Sequence, residues 1–227
     1  MIYMLDTANI QDIARCIDLY PITGVTTNPS IIAKENKPLP EILKGIKAVI
    51  GDDIMLHAQV MGKDATTMIA EAYRLQELVG SNFVVKIPAT AQGIKAMKTI
   101  ARNHDLRITA TAILSPQQAL MAAVAGAEFL APYVNRLDNI CGDGVRVVSD
   151  IVTLLQKHNL KSKVLAASFK NVQQVHDVAM TGAQSVTISP DVFEQLIVHP
   201  LTDSGVAGFV RDWEGVYGKD TSVLDVI

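Results

Sequence analysis

The 227-residue chain predicts one α/β domain of the (β/α)8 TIM-barrel class, residues 1–227, with an additional C-terminal helix over 202–217. Three observations carry this reading. Short apolar, β-branched runs recur eight times at intervals of about 25 residues, the spacing of βα units in a compact barrel. The segments between them show helical periodicity, so the pattern is βαβα from end to end and the sheet is parallel. Polar residues within the runs collect at the carboxyl ends, the face on which such a barrel opens its site. No linker, low-complexity tract or composition break divides the chain, and 49% of its residues are hydrophobic, enough for a core of barrel size.

The first run, residues 2–5, closes at Asp6; the second, 24–26, ends at Thr26 and leads into Thr27 and Asn28; the third, 54–60, carries Gln59. The fourth, 83–87, holds Lys86 between Val84-Val85 and Ile87-Pro88, and the fifth, 107–112, has Thr109 and Thr111. The sixth, 128–133, reaches Tyr133 ahead of Asn135 and Arg136, the seventh, 163–167, runs on to Ser168 and Lys170, and the eighth, 185–189, ends at Ser189. Between them, 66–79 sets Met68, Ile69, Ala72, Leu75 and Val79 at helical intervals, and 145–155 repeats the pattern. Gly80, Gly126 and Gly182 each stand between a helix and an apolar strand, where a left-handed residue closes the helix. Polar strand ends also arise because helices need caps, which is the preferred reading of Thr7, Ser115 and Asp191. The last helix carries Trp213 and gives way to a polar end over 218–222.

Several function classes are disfavoured. Net charge is −3 with acids and bases interspersed, so there is no nucleic-acid footprint. The N-terminus lacks a basic region followed by a long apolar stretch, and the longest apolar run, 119–127, is far short of the roughly 18 residues of a membrane span. A cytoplasmic protein with Cys16 and Cys141 as reduced thiols is the expectation. His57, His104, His158, His176 and His199 are scattered without ligand-pair spacing, so no metal is expected, and no glycine-rich phosphate cup points to a pyridoxal cofactor, which could also use a strand lysine.

Lys86 is the residue that capping does not explain. A charge inside a strand covered on both faces is costly, and desolvation lowers a lysine pKa from about 10.4 by up to several units; a neighbouring cation such as Arg136 would push the same way. A neutral amine is what a lysine nucleophile needs to attack a carbonyl carbon and form a Schiff base. The competing reading buries the stem while the head meets a carboxylate or reaches solvent. Asp6 is the obvious carboxylate, either as the partner in a salt bridge or as a mover of protons. Arg136 offers a planar fork for a phosphate or carboxylate, and Ser168 a hydroxyl for the same anion, although Arg136 would serve equally in a surface salt bridge.

Four motifs sharpen these options. GVTTNPSI at 24–31, VVKIPAT at 84–90, APYVNRLD at 131–138 and VLAASFK at 164–170 resemble the small transaldolase family, most closely its fructose-6-phosphate aldolase branch, over essentially the whole chain. The resemblance implies a class I aldolase with its Schiff-base lysine on the fourth strand, a position Lys86 fills. It further implies that Asp6 and Asn28 orient the amine and the ketose hydroxyls, that Thr26 shapes the site, and that Thr111 and Gln59 hold or activate a water. Tyr133 is then the acid/base group, Arg136 and Ser168 bind phosphate, and no metal or cofactor takes part. Gln59 and Tyr133 stand where transaldolases place a glutamate and a phenylalanine, which favours aldolase chemistry on fructose 6-phosphate over transfer of the dihydroxyacetone unit to an aldose phosphate. A non-catalytic sugar-phosphate-binding barrel is the third option, disfavoured because binding alone needs no nucleophile with proton-transfer partners. Residues 113–116 and 139–141 depart from the aldolase pattern in loops that set aldehyde specificity. The partners implied are a small sugar phosphate and further copies of the chain, a ring of five or ten subunits with the last helix reaching a neighbour.

Overall fold

The computed structural model describes residues 1–103 and 105–227; the reading of His104 lies outside the described residues. Each apolar run forms a parallel strand: β1 Ile2–Asp6, β2 Ile22–Thr26, β3 Met55–Gln59, β4 Phe83–Pro88, β5 Arg107–Ile113, β6 Phe129–Pro132, β7 Lys163–Ala166 and β8 Ser185–Ile188. They pair in sequence order and close through β1 and β8. Between them run α1 Ile10–Leu19, α2 Pro29–Lys34, α3 Leu39–Ile50, α4 Ala65–Val79, α5 Ala91–Asn103, α6 Pro116–Val124, α7 Val134–Asp138, α8 Gly144–Lys157 and α9 Val172–Met180, followed by α10 Pro190–Gln195 and α11 Pro200–Tyr217. This is a TIM barrel with a C-terminal helix, as the sequence predicts.

Local rules account for most boundaries. On α4, Met68, Ala72, Leu75 and Val79 are buried at the predicted intervals, while Ile69 is only half-buried at the edge of that face. On α8 the buried face is Val148, Ile151, Val152 and Leu155. Gly80, Gly126 and Gly182 all have positive φ, at 83°, 100° and 83°. Ser115 caps α6 by accepting from Gln118 N at 3.3 Å. Two cap assignments are corrected: Asn9, not Thr7, caps α1, because only its carboxamide oxygen reaches both Gln11 N and Asp12 N, each at 3.0 Å. Asp191 lies within the first turn of α10, where its charge meets the positive end of the helix rather than closing it. β6 stops at Pro132, and Tyr133 joins Ala167 through an isolated bridge.

Inside the barrel Met4, Val84, Phe129 and Leu165 form one buried apolar cluster, with Ile2 and Met55 against it. Met4 and Val84 stand two residues before Asp6 and Lys86 on the same inward face, so apolar filling below and a polar layer above follow from the period of two along each strand. The chain divides into two compact units, Met1–Phe193 and Glu194–Ile227. All the candidate site residues belong to the first. In the second, Trp213 lies 4.3 Å from the Tyr217 ring and donates through Nε1 to Thr221 O at 2.8 Å. Leu201, Phe209 and Val216 of α11 are exposed. No helix among the described residues is long and apolar enough to cross a membrane.

Candidate active site

Lys86 projects from the middle of β4 with 5% of its surface exposed. Its Nζ donates to Thr27 O at 2.6 Å, and Thr27 is itself fixed on His57 O through its backbone N (2.9 Å) and its Oγ1 (3.1 Å). Burial pushes the amine below the usual lysine range, and the negative charge of Asp6 opposes the shift without reversing it. The depression predicted from burial in the strand therefore stands, with desolvation its cause as expected, but Arg136 adds nothing to it. Arg136 acts on Asp6 instead.

Asp6, at the end of β1, bonds to the β2 side chain beside it rather than to Lys86: Thr26 Oγ1 donates to Asp6 Oδ1 at 2.7 Å. The Thr26 hydroxyl also meets Thr187 Oγ1 at 2.6 Å. One hydroxyl has one hydrogen, so with Asp6 ionised Thr187 must be the donor to Thr26. Burial raises the Asp6 pKa, opposed by Lys86, by the Thr26 bond and by Arg136. The same desolvation thus favours the neutral form of both groups.

On the far side of the barrel, Thr111 Oγ1 lies 3.1 Å from Tyr133 OH. The β5–β6 register shifts between Ala110 and Ile113, and Ala112 takes φ 56°, a left-handed bulge next to Thr111. The Arg136 guanidinium stacks 4.5 Å from the Tyr133 ring centroid, a cation–π contact in place of the surface salt bridge weighed from the sequence. Ser168 also has φ in the left-handed region, 65°, and its carbonyl accepts from Asn135 N at 2.8 Å. Asn28 caps α2 through Ile31 N at 3.0 Å.

Eight of the nine residues singled out from the sequence line one chamber of about 300 Å³: Asp6, Thr26, Asn28, Lys86, Thr111, Tyr133, Arg136 and Ser168. The ninth, Gln59, is the register partner of Lys86 but borders a different cleft with Leu39, Met61 and Glu71. Sequence reasoning passed over Thr187, Ser30 and Lys34, which also line the chamber. Thr187 was findable, since Ser185, Thr187 and Ser189 share the inward parity of β8; Lys34 sits on a helix end, where nothing local marks it. Lys34, Lys86, Arg136 and Lys170 face Asp6 as the one acid of the lining, a balance that suits an anionic ligand.

His57 is the unexpected group. It is fully buried on β3, its ring 5.4 Å from that of Phe129, with Nδ1 2.9 Å from Thr109 Oγ1 and no hydrogen-bond partner for Nε2 among the described residues. Burial, then the charges of Lys86 and Arg107, hold its pKa well below 6.5. A histidine neutral when folded but protonated when unfolded costs stability as pH falls below the unfolded value, by about 1.4 kcal/mol per pH unit until the folded value is reached. The stability of His57→Phe minus that of the parent is therefore expected to be flat above pH 6.5 and to grow below it. Urea denaturation of both proteins at pH 8, 6 and 5 checks this, and a constant difference would show that the imidazole is not desolvated.

Solved structures share the architecture at low identity. A flavocytochrome b2 with sulfite bound superposes with a TM-score of 0.60 at 14% identity over 83% of this chain, which spans 56% of that protein. A thiamine phosphate pyrophosphorylase from Pyrococcus furiosus gives 0.58 at 19% identity, over 83% of this chain and 84% of that one. A mandelate oxidase variant with a monooxide FMN adduct gives 0.56 at 16% identity, over 96% and 74%. These likenesses establish the barrel and nothing about chemistry. The family profile described as transaldolase/fructose-6-phosphate aldolase is of another kind, because it matches residues 3–219 and so takes in every strand and every residue of the chamber. An enzyme of the aldolase/transaldolase type, the chain belongs to the transaldolase/fructose-6-phosphate aldolase family.

Proposed function

We propose that the protein is a class I aldolase that cleaves and forms ketose phosphates, with fructose 6-phosphate giving dihydroxyacetone and glyceraldehyde 3-phosphate. The observation that carries this reading is a buried lysine of lowered pKa opening into a chamber lined by one acid and three further cations. The Lys86 amine attacks the C2 carbonyl and water leaves, forming an iminium ion. Its positive nitrogen accepts the electron pair of the C3–C4 bond as the C4 hydroxyl gives up its proton. Tyr133, bonded to Thr111, is within the chamber to take that proton; Arg136 and Ser168 hold the phosphate of the departing glyceraldehyde 3-phosphate. Protonation of the enamine and hydrolysis by water release dihydroxyacetone and restore the amine.

A transaldolase shares the enamine but keeps it until an acceptor aldose phosphate arrives. Dihydroxyacetone release from fructose 6-phosphate is expected without erythrose 4-phosphate; strict dependence on that acceptor would make the enzyme a transferase. Tyr133 supports the lyase reading, since its hydroxyl can return a proton to the enamine where a phenylalanine could not. Gln59→Glu places a carboxylate beside Lys86 in the strand register and is expected to shift the ratio of release to transfer toward transfer. An unchanged ratio would remove Gln59 as the discriminator.

A further inference from the structure

We infer that His57 is a positioning residue: with Thr109 it builds a bridge beneath Lys86 that aims the lysine amine into the chamber. The inference rests on Lys86 being the nucleophile.

Strand register places the bridge. His57 on β3 is paired with Val84 on β4, and Thr109 on β5 is paired with Lys86, one pleat higher. The 2.9 Å contact between His57 Nδ1 and Thr109 Oγ1 therefore crosses the inner face of β4 between Val84 and Lys86. The register thus sets His57 one pleat below Lys86. A lysine stem has four rotatable carbons and no preferred direction of its own, so the wall it rises from decides where its nitrogen goes. The His57 backbone contributes as well: its carbonyl accepts both hydrogen bonds that fix Thr27, and the Thr27 carbonyl is the acceptor for Lys86 Nζ. One residue thus supports the lysine at its base and, through Thr27, at its tip.

The same construction stands under Asp6, the acid of the chamber. On β1, Met4 is paired with Thr187 of β8, and Asp6 with Thr26 of β2. The Thr26–Thr187 contact of 2.6 Å crosses β1 between Met4 and Asp6. In both cases the preceding strand supplies the lower partner and the following strand the upper one, as the common stagger of a closed barrel requires. A histidine is an odd choice for simple filling at this place, because its buried Nε2 has no partner among the described residues, a penalty that an apolar ring of similar shape beside Phe129 would avoid. The bond to Thr109 is what an apolar ring would forfeit.

The test is borohydride trapping of the Lys86 adduct with fructose 6-phosphate, read as an initial rate by peptide mass, beside steady-state kinetics. His57→Phe and, independently, the near-isosteric Thr109→Val are each expected to slow trapping and kcat about 10-fold, with KM changed by less than about two-fold, the signature of a misaimed but intact nucleophile. Thr109→Ser, which keeps the hydroxyl, is expected to restore the rate, and the His57→Phe/Thr109→Val double variant to be no slower than the slower single one, since the two act as a unit. Trapping in either variant at the parental rate, losses that multiply in the double variant, or failure of Thr109→Ser to rescue would overturn the inference while leaving Lys86 as nucleophile. A parent protein that forms no adduct on Lys86 would instead bring down the proposed function, and this inference with it.

Discussion

On the proposed mechanism, Lys86→Met is expected to abolish cleavage of fructose 6-phosphate, lowering kcat by on the order of 10⁴-fold or more, because removing a nucleophile removes the covalent path entirely. Methionine conserves most of the volume, so loss of the fold does not explain the result. The variant also carries a stability signature. In the folded protein the amine gives up its proton below the ordinary 10.5, while in the unfolded chain it keeps it to that pH. Between the lowered folded value and 10.5 the unfolded state binds the extra proton, so parental stability declines as pH falls, by about 1.4 kcal/mol per unit in that window. Lys86→Met lacks this term, and its stability relative to the parent is expected to rise as pH falls below 10.5, until the lowered folded value is reached. Full turnover in the variant would end the Schiff-base mechanism; parallel pH–stability curves would show that the amine is not desolvated.

The second large effect is on stability and comes from a position without chemistry. Gly93 lies in the first turn of α5, against the end of the strand that carries Lys86; a Cβ there would stand 1.8 Å from Pro88 O and 3.3 Å from Ile87 Cγ2. Gly93 N is bonded to Thr90 Oγ1 at 3.1 Å, and Ala89 N to Thr111 O at 2.8 Å, so neither the helix start nor the strand end can withdraw freely. In an open helix Gly→Ala would stabilise by about 1 kcal/mol. Here the clash with backbone outweighs that, and Gly93→Ala is expected to cost about 3–5 kcal/mol, lowering Tm by about 10 °C. Thermal unfolding by circular dichroism measures it. A Tm at or above the parental value would mean that α5 is not seated on β4 as closely as described.

The barrel itself was legible because its determinants are local. Eight apolar runs, two strongly periodic helices and glycines of positive φ at the predicted helix ends all depend on neighbours within a few residues. Where the sequence misjudged an element, a competing local partner was responsible: Asn9 outcompetes Thr7 for the start of α1, since its longer carboxamide spans two backbone donors where a hydroxyl would reach one. The location of the site was also readable, because parallel strands covered by helices leave their carboxyl ends as the place where polar side chains converge.

What closure of the barrel decided is which of those side chains meet. In one dimension Asp6 reads either as the salt-bridge partner of Lys86 or as a mover of protons; in the barrel Asp6 lies level with Thr26 on its neighbouring strand and takes its bond from there, while Lys86 reaches the Thr27 carbonyl. Gln59 is level with Lys86 and yet borders another cleft. His57 looked like one of several scattered histidines, and only the closed register brings it to Thr109, across the strand that bears the lysine. By itself the sequence determined the strands, the parity of their side chains and the identity of the lysine, all set by contacts within a few residues. The tertiary structure alone decided the partners of Lys86, Asp6 and His57, because cross-strand hydrogen bonds arise only when segments remote in the chain enclose one another.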